Sequence, residues 1–287
     1  MIAMTNEQNI SNNTVPDSMS QVGIIAKYTF LDYLRSRRFF VLLIITVLIG
    51  VILTVLVHFR SAAFTSSNLD FYSSYWGSAV TFVIILSGIF FGGDAVSGEF
   101  QNKTGYFTIP NPIRRSSIYI GKWLAAFVAS TVMFAIFAVF TIATSAYFFG
   151  SNIPYQFGES LLFALLYLAA VLSFTFFFSS MFKSSVISVI VTVILFFFVF
   201  NLLDSFVLPL AGIEPWFIIT YGAGIIGNVL TSPFPPHGPL SAPLGPRRLI
   251  TLSTFNATIP EGLAILALYF IITAIIGLYL FEKKEFT

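Results

Sequence analysis

The sequence predicts an all-α integral membrane protein with six transmembrane helices. Three observations carry this. Only 9% of the residues are charged and 57% are hydrophobic, with a mean hydropathy of +0.90, whereas soluble domains carry roughly 25% charge. Six apolar runs have the length of a bilayer crossing. Eleven of the 14 basic residues fall on one side of the alternating topology that these runs define.

In chain order, Met1–Ser20 is rich in Ser, Asn and Gln and has no apolar block of signal-peptide kind, so residues 1–20 are expected as a disordered tail. Residues 21–287 are expected as one six-helix membrane domain. Gln21–Arg38 reads as a helix lying at the membrane surface: Ile24, Tyr28 and Leu31 recur at i, i+4 and i+7, and basic residues crowd its end. Arg35 falls beside that apolar stripe and would snorkel to the headgroups. The first span is Phe39–Val57, about 28 Å long at 1.5 Å per residue, close to the ~30 Å hydrocarbon core. The others are expected near 75–93, 123–149, 160–181, 186–203 and 262–281.

Six spans place both termini on one side. Lys27, Arg35, Arg37, Arg38, Lys103, Arg114, Arg115, Lys122, Lys183, Lys283 and Lys284 share it, while Arg60, Arg247 and Arg248 lie opposite. The positive-inside bias makes the first side cytoplasmic, in the plasma membrane. The loop 94–122 is then inside and the connection 204–261 outside.

Within that outer connection, Trp216–Leu230 is apolar but short for a crossing, and Pro209, Pro215, Gly222, Gly224 and Gly227 interrupt it. A seventh span would also move Lys283 and Lys284 outside. The segment is therefore expected as an outer or re-entrant helical element. Ser232–Pro246, with six prolines, reads as a semi-rigid spacer. Of the four Asn-x-Ser/Thr acceptor patterns, those at Asn9, Asn12 and Asn102 lie inside and only Asn256 lies outside.

The residue inventory excludes several chemistries. There is no cysteine, hence no disulfide, thiol nucleophile or thiolate metal site. His58 and His237 have no second histidine or carboxylate cluster at a ligating spacing, so they read as surface histidines and no metal site is expected. No nucleophile elbow, zinc helix or pair of intramembrane aspartates is present, so no catalytic residue is assigned. Nor is there a Gly-x-x-x-x-Gly-Lys-Ser/Thr phosphate cradle, so the chain is not expected to hydrolyse ATP. Ion-coupled carriers need ionisable groups or broken helices near the midplane, and the spans hold no obvious charge there.

The charge that the spans lack is concentrated between the second and third. The run reads Asp94-x-Val96-Ser97-Gly98-Glu99, then Lys103-Thr104, Pro112-Ile113-x-Arg115 and Gly121-Lys122. This resembles the inner-loop signature of the permease subunits of type-2 ATP-binding-cassette (ABC) exporters: Asp-x-Ile/Val-Ser/Ala-Gly-Glu, an acidic residue, Gly/Lys-Thr, then Pro-Val/Ile-x-Arg and Gly-Lys at the next span. Gln101 stands where an acidic residue is usual, and Gly105 with Pro110 makes the following stretch less helical than the usual Leu-rich version. The likeness covers about 30 residues as motif and nearly the whole chain as architecture.

The resemblance implies a permease that pairs with a second copy or a related permease and is contacted by separate ATPase subunits, which carry the ATP and Mg2+. It implies that the inner loop forms a coupling helix, with Asp94, Ser97, Gly98, Glu99, Lys103, Thr104, Pro112, Arg115 and Lys122 as the candidate ATPase-contact residues. Physically the loop suits that task, because its carboxylates can cap or pair while Lys103 and Arg115 present charge to a soluble partner. Two other readings stay open: an ATPase-independent secondary transporter or channel, and a structural or assembly membrane protein. No substrate site is legible, although the scarcity of intramembrane charge favours an apolar or amphipathic cargo.

Overall fold

A computed structural model describes residues 17–59, 67–101, 114–150, 152–207, 211–237 and 255–284, which form helices and no strands. Among the described residues, six helices are long and apolar enough to cross a membrane. Most of the expected tail and the later part of the proline-rich spacer lie outside the described residues.

Helix α1 (Ser18–Arg35) starts at Asp17, whose carboxylate accepts the Ser18 amide at 2.8 Å. It packs along the first turns of the third span: a Cβ on Gly121 would fall 2.8 Å from Ile25, so the glycine permits the close approach. Ile24, Tyr28 and Arg35 point away from the bundle and are exposed. The helix thus has two apolar faces, one against the third span and one turned outwards, which explains why its sequence looks imperfectly amphipathic. Ser36 breaks it with an extended backbone, and the Ser36 hydroxyl accepts the Phe39 amide at 3.3 Å. Arg37 and Arg38, expected at the end of this surface helix, instead open the first span, α2 (Arg37–Phe59).

The second span comprises α3 (Asn68–Tyr72), a π-helical turn (Ser73–Gly77) and α4 (Ser78–Gly92), and is followed by the short helix α5 (Ser97–Gln101). The third and fourth spans are α6 (Arg115–Phe149) and α7 (Tyr155–Met181). Helix α6 begins eight residues before the apolar run, so Arg115 and Lys122 are carried on the spanning helix itself rather than in a loop. The fifth span combines α8 (Ser185–Ile194), α9 (Phe200–Leu202) and two π-helical turns, Leu195–Val199 and Leu203–Val207. After the short helices α10 (Ile219–Ala223) and α11 (Ile225–Asn228), the sixth span is α12 (Ile259–Lys283).

The second, third and fourth spans form the core, and the first, fifth and sixth leave most of their surface uncovered. Small residues bring the core helices together. A Cβ on Gly88 would lie 2.6 Å from Val171 of α7, and one on Gly50 2.8 Å from the Phe140 ring. Where the first three spans meet, the Tyr75 hydroxyl donates to the Gly50 carbonyl at 2.8 Å, and Thr54 lies 3.0 Å from Tyr75 and 2.9 Å from Thr144. This satisfies polar groups that would otherwise be costly in an apolar bundle.

Between the fifth and sixth spans, α10 and α11 are too short to cross and wedge into the bundle at the end opposite α5. Ile219, Ile225, Ile226 and Leu230 are fully buried. Trp76 donates its indole N–H to Ser160 at 3.0 Å, and Ser160 donates to the Ile226 carbonyl at 2.7 Å. Gly222 and Gly262 bring this element against the sixth span, where added Cβ atoms would lie 2.8 Å from Ile265 and Ile225 respectively. The glycines that interrupt the segment in sequence are the means of its packing.

Candidate functional site

The described residues among those singled out between the second and third spans converge at one end of the bundle, together with most of the described basic residues. The chain leaves α4 at Gly93 and turns through Asp94, Ala95 and Val96 into α5. The Gly98 amide donates to the Asp94 carbonyl at 2.8 Å and the Glu99 amide to Val96 at 3.1 Å. Five residues cannot hold a helix by local hydrogen bonds alone, so the neighbours must hold it.

All five other spans do so. From the first, Arg38 forms an ion pair with Asp94. From the third, Lys122 pairs with Glu99 at 2.5 Å and donates to the Ala95 carbonyl at 2.9 Å. Ser179, near the end of the fourth, accepts the Val96 and Ser97 amides, both at 3.0 Å, which satisfies two donors at the start of α5. From the fifth, Ser188 donates to the Gly93 carbonyl at 2.6 Å, and the Ser185 amide donates to Gln101 at 2.8 Å. Gln101 therefore keeps an acceptor oxygen in the position where a carboxylate is usual. Just past the sixth, the Lys284 ammonium sits 4.3 Å from the centre of the Phe100 ring and donates to the carbonyls of Ser180 and Phe182 at 2.8 and 2.7 Å.

Burial, with the Lys183 charge adding to it, lowers the Lys284 pKa to about 8. Tyr33 of α1 donates to the Phe91 carbonyl at 2.9 Å, and burial, then the Asp94 carboxylate, pushes its phenol up. Arg115 donates to the carbonyls of Glu282 and Lys284 at 2.9 and 3.1 Å, closing the exposed end of the sixth helix. Sequence reasoning expects Glu99 to cap or pair and Arg115 to present charge to a soluble partner. Here both make bonds within the chain, and only part of either side chain remains accessible.

The structure thus brings Asp94, Ser97, Gly98, Glu99, Arg115 and Lys122 together. Lys103, Thr104 and Pro112 lie outside the described residues. Sequence reasoning missed Arg38, Ser179, Ser185 and Lys284; the Ser179–Ser180 pair closing an apolar run was the one local hint. Beside the Arg38–Asp94 pair, a groove of about 330 Å³ runs between the second and fifth spans, lined by Ile89, Phe90, Val186, Val189 and Ile190.

At the opposite end, His237 is not the isolated surface histidine its sequence context suggests. Glu214, His237 and Glu261, far apart in the chain, place one ligand atom each within 4.8 Å of one another. Asn256 sits beside them, donating its side-chain amide to the Pro236 carbonyl at 3.2 Å.

No curated protein matches the chain. A family model described as "ABC-2 family transporter protein" matches residues 24–286. That range takes in α1 from residue 24 onwards, the six spans, the α5 junction and the wedge of α10 and α11. The family's members are membrane transport subunits and not ATPases. With a match over nearly its whole length, the chain belongs to the ABC-2 family of transporter proteins, as a multi-pass permease of an ABC transporter.

Proposed function

We propose that the protein is the permease of an ABC exporter in the plasma membrane, with both termini cytoplasmic, and that α5 with the chain following it docks a separate ATPase subunit. The observation that carries this reading is the attachment of one short, partly accessible helix to every other span. A push on α5 reaches the first span through Arg38, the third through Lys122, the fourth through Ser179, the fifth through Ser185 and the sixth through Lys284. A loop serving only to enforce topology would need none of these bonds. Rigid contacts with discrete arrangements are what convert a local docking event into a rearrangement of helices.

ATP and Mg2+ belong to the partner ATPase in this reading. The uncovered faces of the first, fifth and sixth spans are available to lipid and to a second permease copy. Ile24 and Tyr28 of α1 face the lipid interface, with Arg35 reaching the headgroups. An apolar or amphipathic cargo suits the groove beside Arg38 and Asp94, where apolar walls meet a charged mouth.

The test is purification of the tagged permease from its native membrane, followed by reconstitution of what it retains. A cassette ATPase should copurify, and cargo efflux should require ATP. Flux by the permease alone would instead support a channel or secondary carrier.

A further inference from the structure

We propose that Glu214, His237 and Glu261 form a binding site for a divalent transition-metal ion of the Zn2+ type, which staples the connection between the fifth and sixth spans to the start of the sixth helix.

The donor set is one imidazole and two carboxylates. His237 Nε2 lies 3.9 Å from Glu214 Oε1 and 3.9 Å from Glu261 Oε1. Both distances are too long for an N–H···O hydrogen bond, which an imidazolium paired with either carboxylate would form at about 2.7–3.2 Å. Ligands of a tetrahedral ion with bonds of about 2.0–2.1 Å stand about 3.4 Å apart, so a shift of roughly half an ångström in each side chain brings all three onto one metal.

The surroundings orient each ligand. His237 Nδ1 lies 3.1 Å from the Asn256 carbonyl, an acceptor that places the proton on Nδ1 and leaves the Nε2 lone pair towards the carboxylates. Glu261 accepts the Thr258 amide on Oε2 at 2.9 Å, within the first turn of α12, and keeps Oε1 for a metal. Glu214 Oε1 accepts the Tyr221 hydroxyl at 2.8 Å, which ties the site to α10. The bonds to Asn256 and Thr258 lie on the far side of their ligands, the usual support of metal-binding histidines and carboxylates, whereas Tyr221 shares the Glu214 oxygen that faces His237.

All three side chains are partly open to solvent, so an ion has a path in. A nitrogen ligand favours Zn2+ and its neighbours over Ca2+ and Mg2+, which prefer all-oxygen sites. A bound ion would join the chain before α10, the chain after α11 and the N-terminal turn of α12. The element wedged among the spans would then be fixed at three points. The site lies at the end opposite α5, and metal binding requires no ATPase, so this inference and the coupling assignment can fail separately.

The chain has no cysteine and only one other histidine, His58, so zinc binding can be assigned by substitution. Tag-free, chelator-treated protein in detergent is titrated with ZnCl2, CoCl2, CaCl2 and MgCl2, with metal stoichiometry and thermal unfolding as readouts. Expected is one saturable Zn2+ per chain, a higher Tm with Zn2+, and a tetrahedral-type visible spectrum with Co2+. His237→Ala and Glu214→Gln each weaken Zn2+ binding by at least about tenfold, while His58→Ala does not. Glu214→Gln keeps the side chain's size and guards against a His237 variant that fails to fold. Absence of saturable Zn2+ uptake, uptake unchanged in both ligand variants, or Ca2+ binding as tight as Zn2+ would overturn the proposal.

Discussion

Lys122 of the third span and Glu99 of α5 form an ion pair 2.5 Å long, with both side chains largely covered. Lys122 also donates to the Ala95 carbonyl at 2.9 Å, so one ammonium holds both the turn entering α5 and the helix itself. Breaking a covered pair of this kind leaves its partner's charge poorly solvated, which costs more than losing a surface salt bridge.

Glu99→Ala and Lys122→Ala are each expected to cost about 1–3 kcal/mol at this junction. The double variant should cost less than the sum of the two, because both remove the same contact. Thermal unfolding of the four proteins in detergent measures the coupling; strictly additive losses would mean that the pair does not hold α5.

Ser179→Ala removes the acceptor of the Val96 and Ser97 amides. Its expected cost is about 1 kcal/mol, typical of a lost cap. The loss should be confined to α5, seen as faster amide hydrogen exchange at Ser97–Gln101 with the middle of the spans unchanged.

Gly88→Ala and Gly158→Ala should have opposite signs. The first drives a methyl to 2.6 Å from Val171 and is expected to destabilise by about 1–3 kcal/mol. The second has nothing within 4 Å and lies inside helix α7, so it should stabilise by up to about 1 kcal/mol. Melting temperatures of the two variants check this directly.

Lys284 supplies a pH dependence. Its folded pKa, about 8, lies below the ordinary lysine value of 10.5. The unfolded chain therefore holds this proton where the folded one has released it. Its contribution to stability rises between pH 8 and 10.5 and is smallest below pH 8. The Tm of the wild type minus that of Lys284→Met should grow over that interval; a difference that is flat with pH would refute the shift.

Topology can be mapped on a chain without native cysteines. Cysteines at Ala211 and Ser232 should react with an impermeant reagent from one side, and a cysteine at Gln101 from the other. Ala211 is preferred to Gly212, whose φ of +66° disfavours a side chain. Labelling of Ala211 and Ser232 from opposite sides would mean that α10 and α11 cross the membrane.

The six spans are legible in sequence because a bilayer demands about 20 apolar residues per crossing, a signal that needs no tertiary information. The turn into α5 is legible too, since Asp94, Ser97, Gly98 and Glu99 stand together in the chain. Its supports are not. Ser179 and Ser185 are ordinary residues in or beside apolar runs, and only the return of the fourth and fifth spans to the same end gives them roles. The pairing of Glu99 is legible as a carboxylate in a charged turn, but its partner is not: helix α6 begins at Arg115 and turns Arg115 and Lys122 towards groups of their own chain. Glu214, His237 and Glu261 lack a ligating spacing because three separate segments bring them together.

The central claim, that the α5 junction couples an ATPase to the spans, is tested most directly by ATPase copurification and transport for Glu99→Ala and Arg115→Ala, with Arg247→Ala as control. The account predicts that both junction variants reach the membrane but retain less ATPase and transport less cargo, while Arg247→Ala behaves as wild type. Wild-type ATPase association and full transport in both junction variants would contradict it.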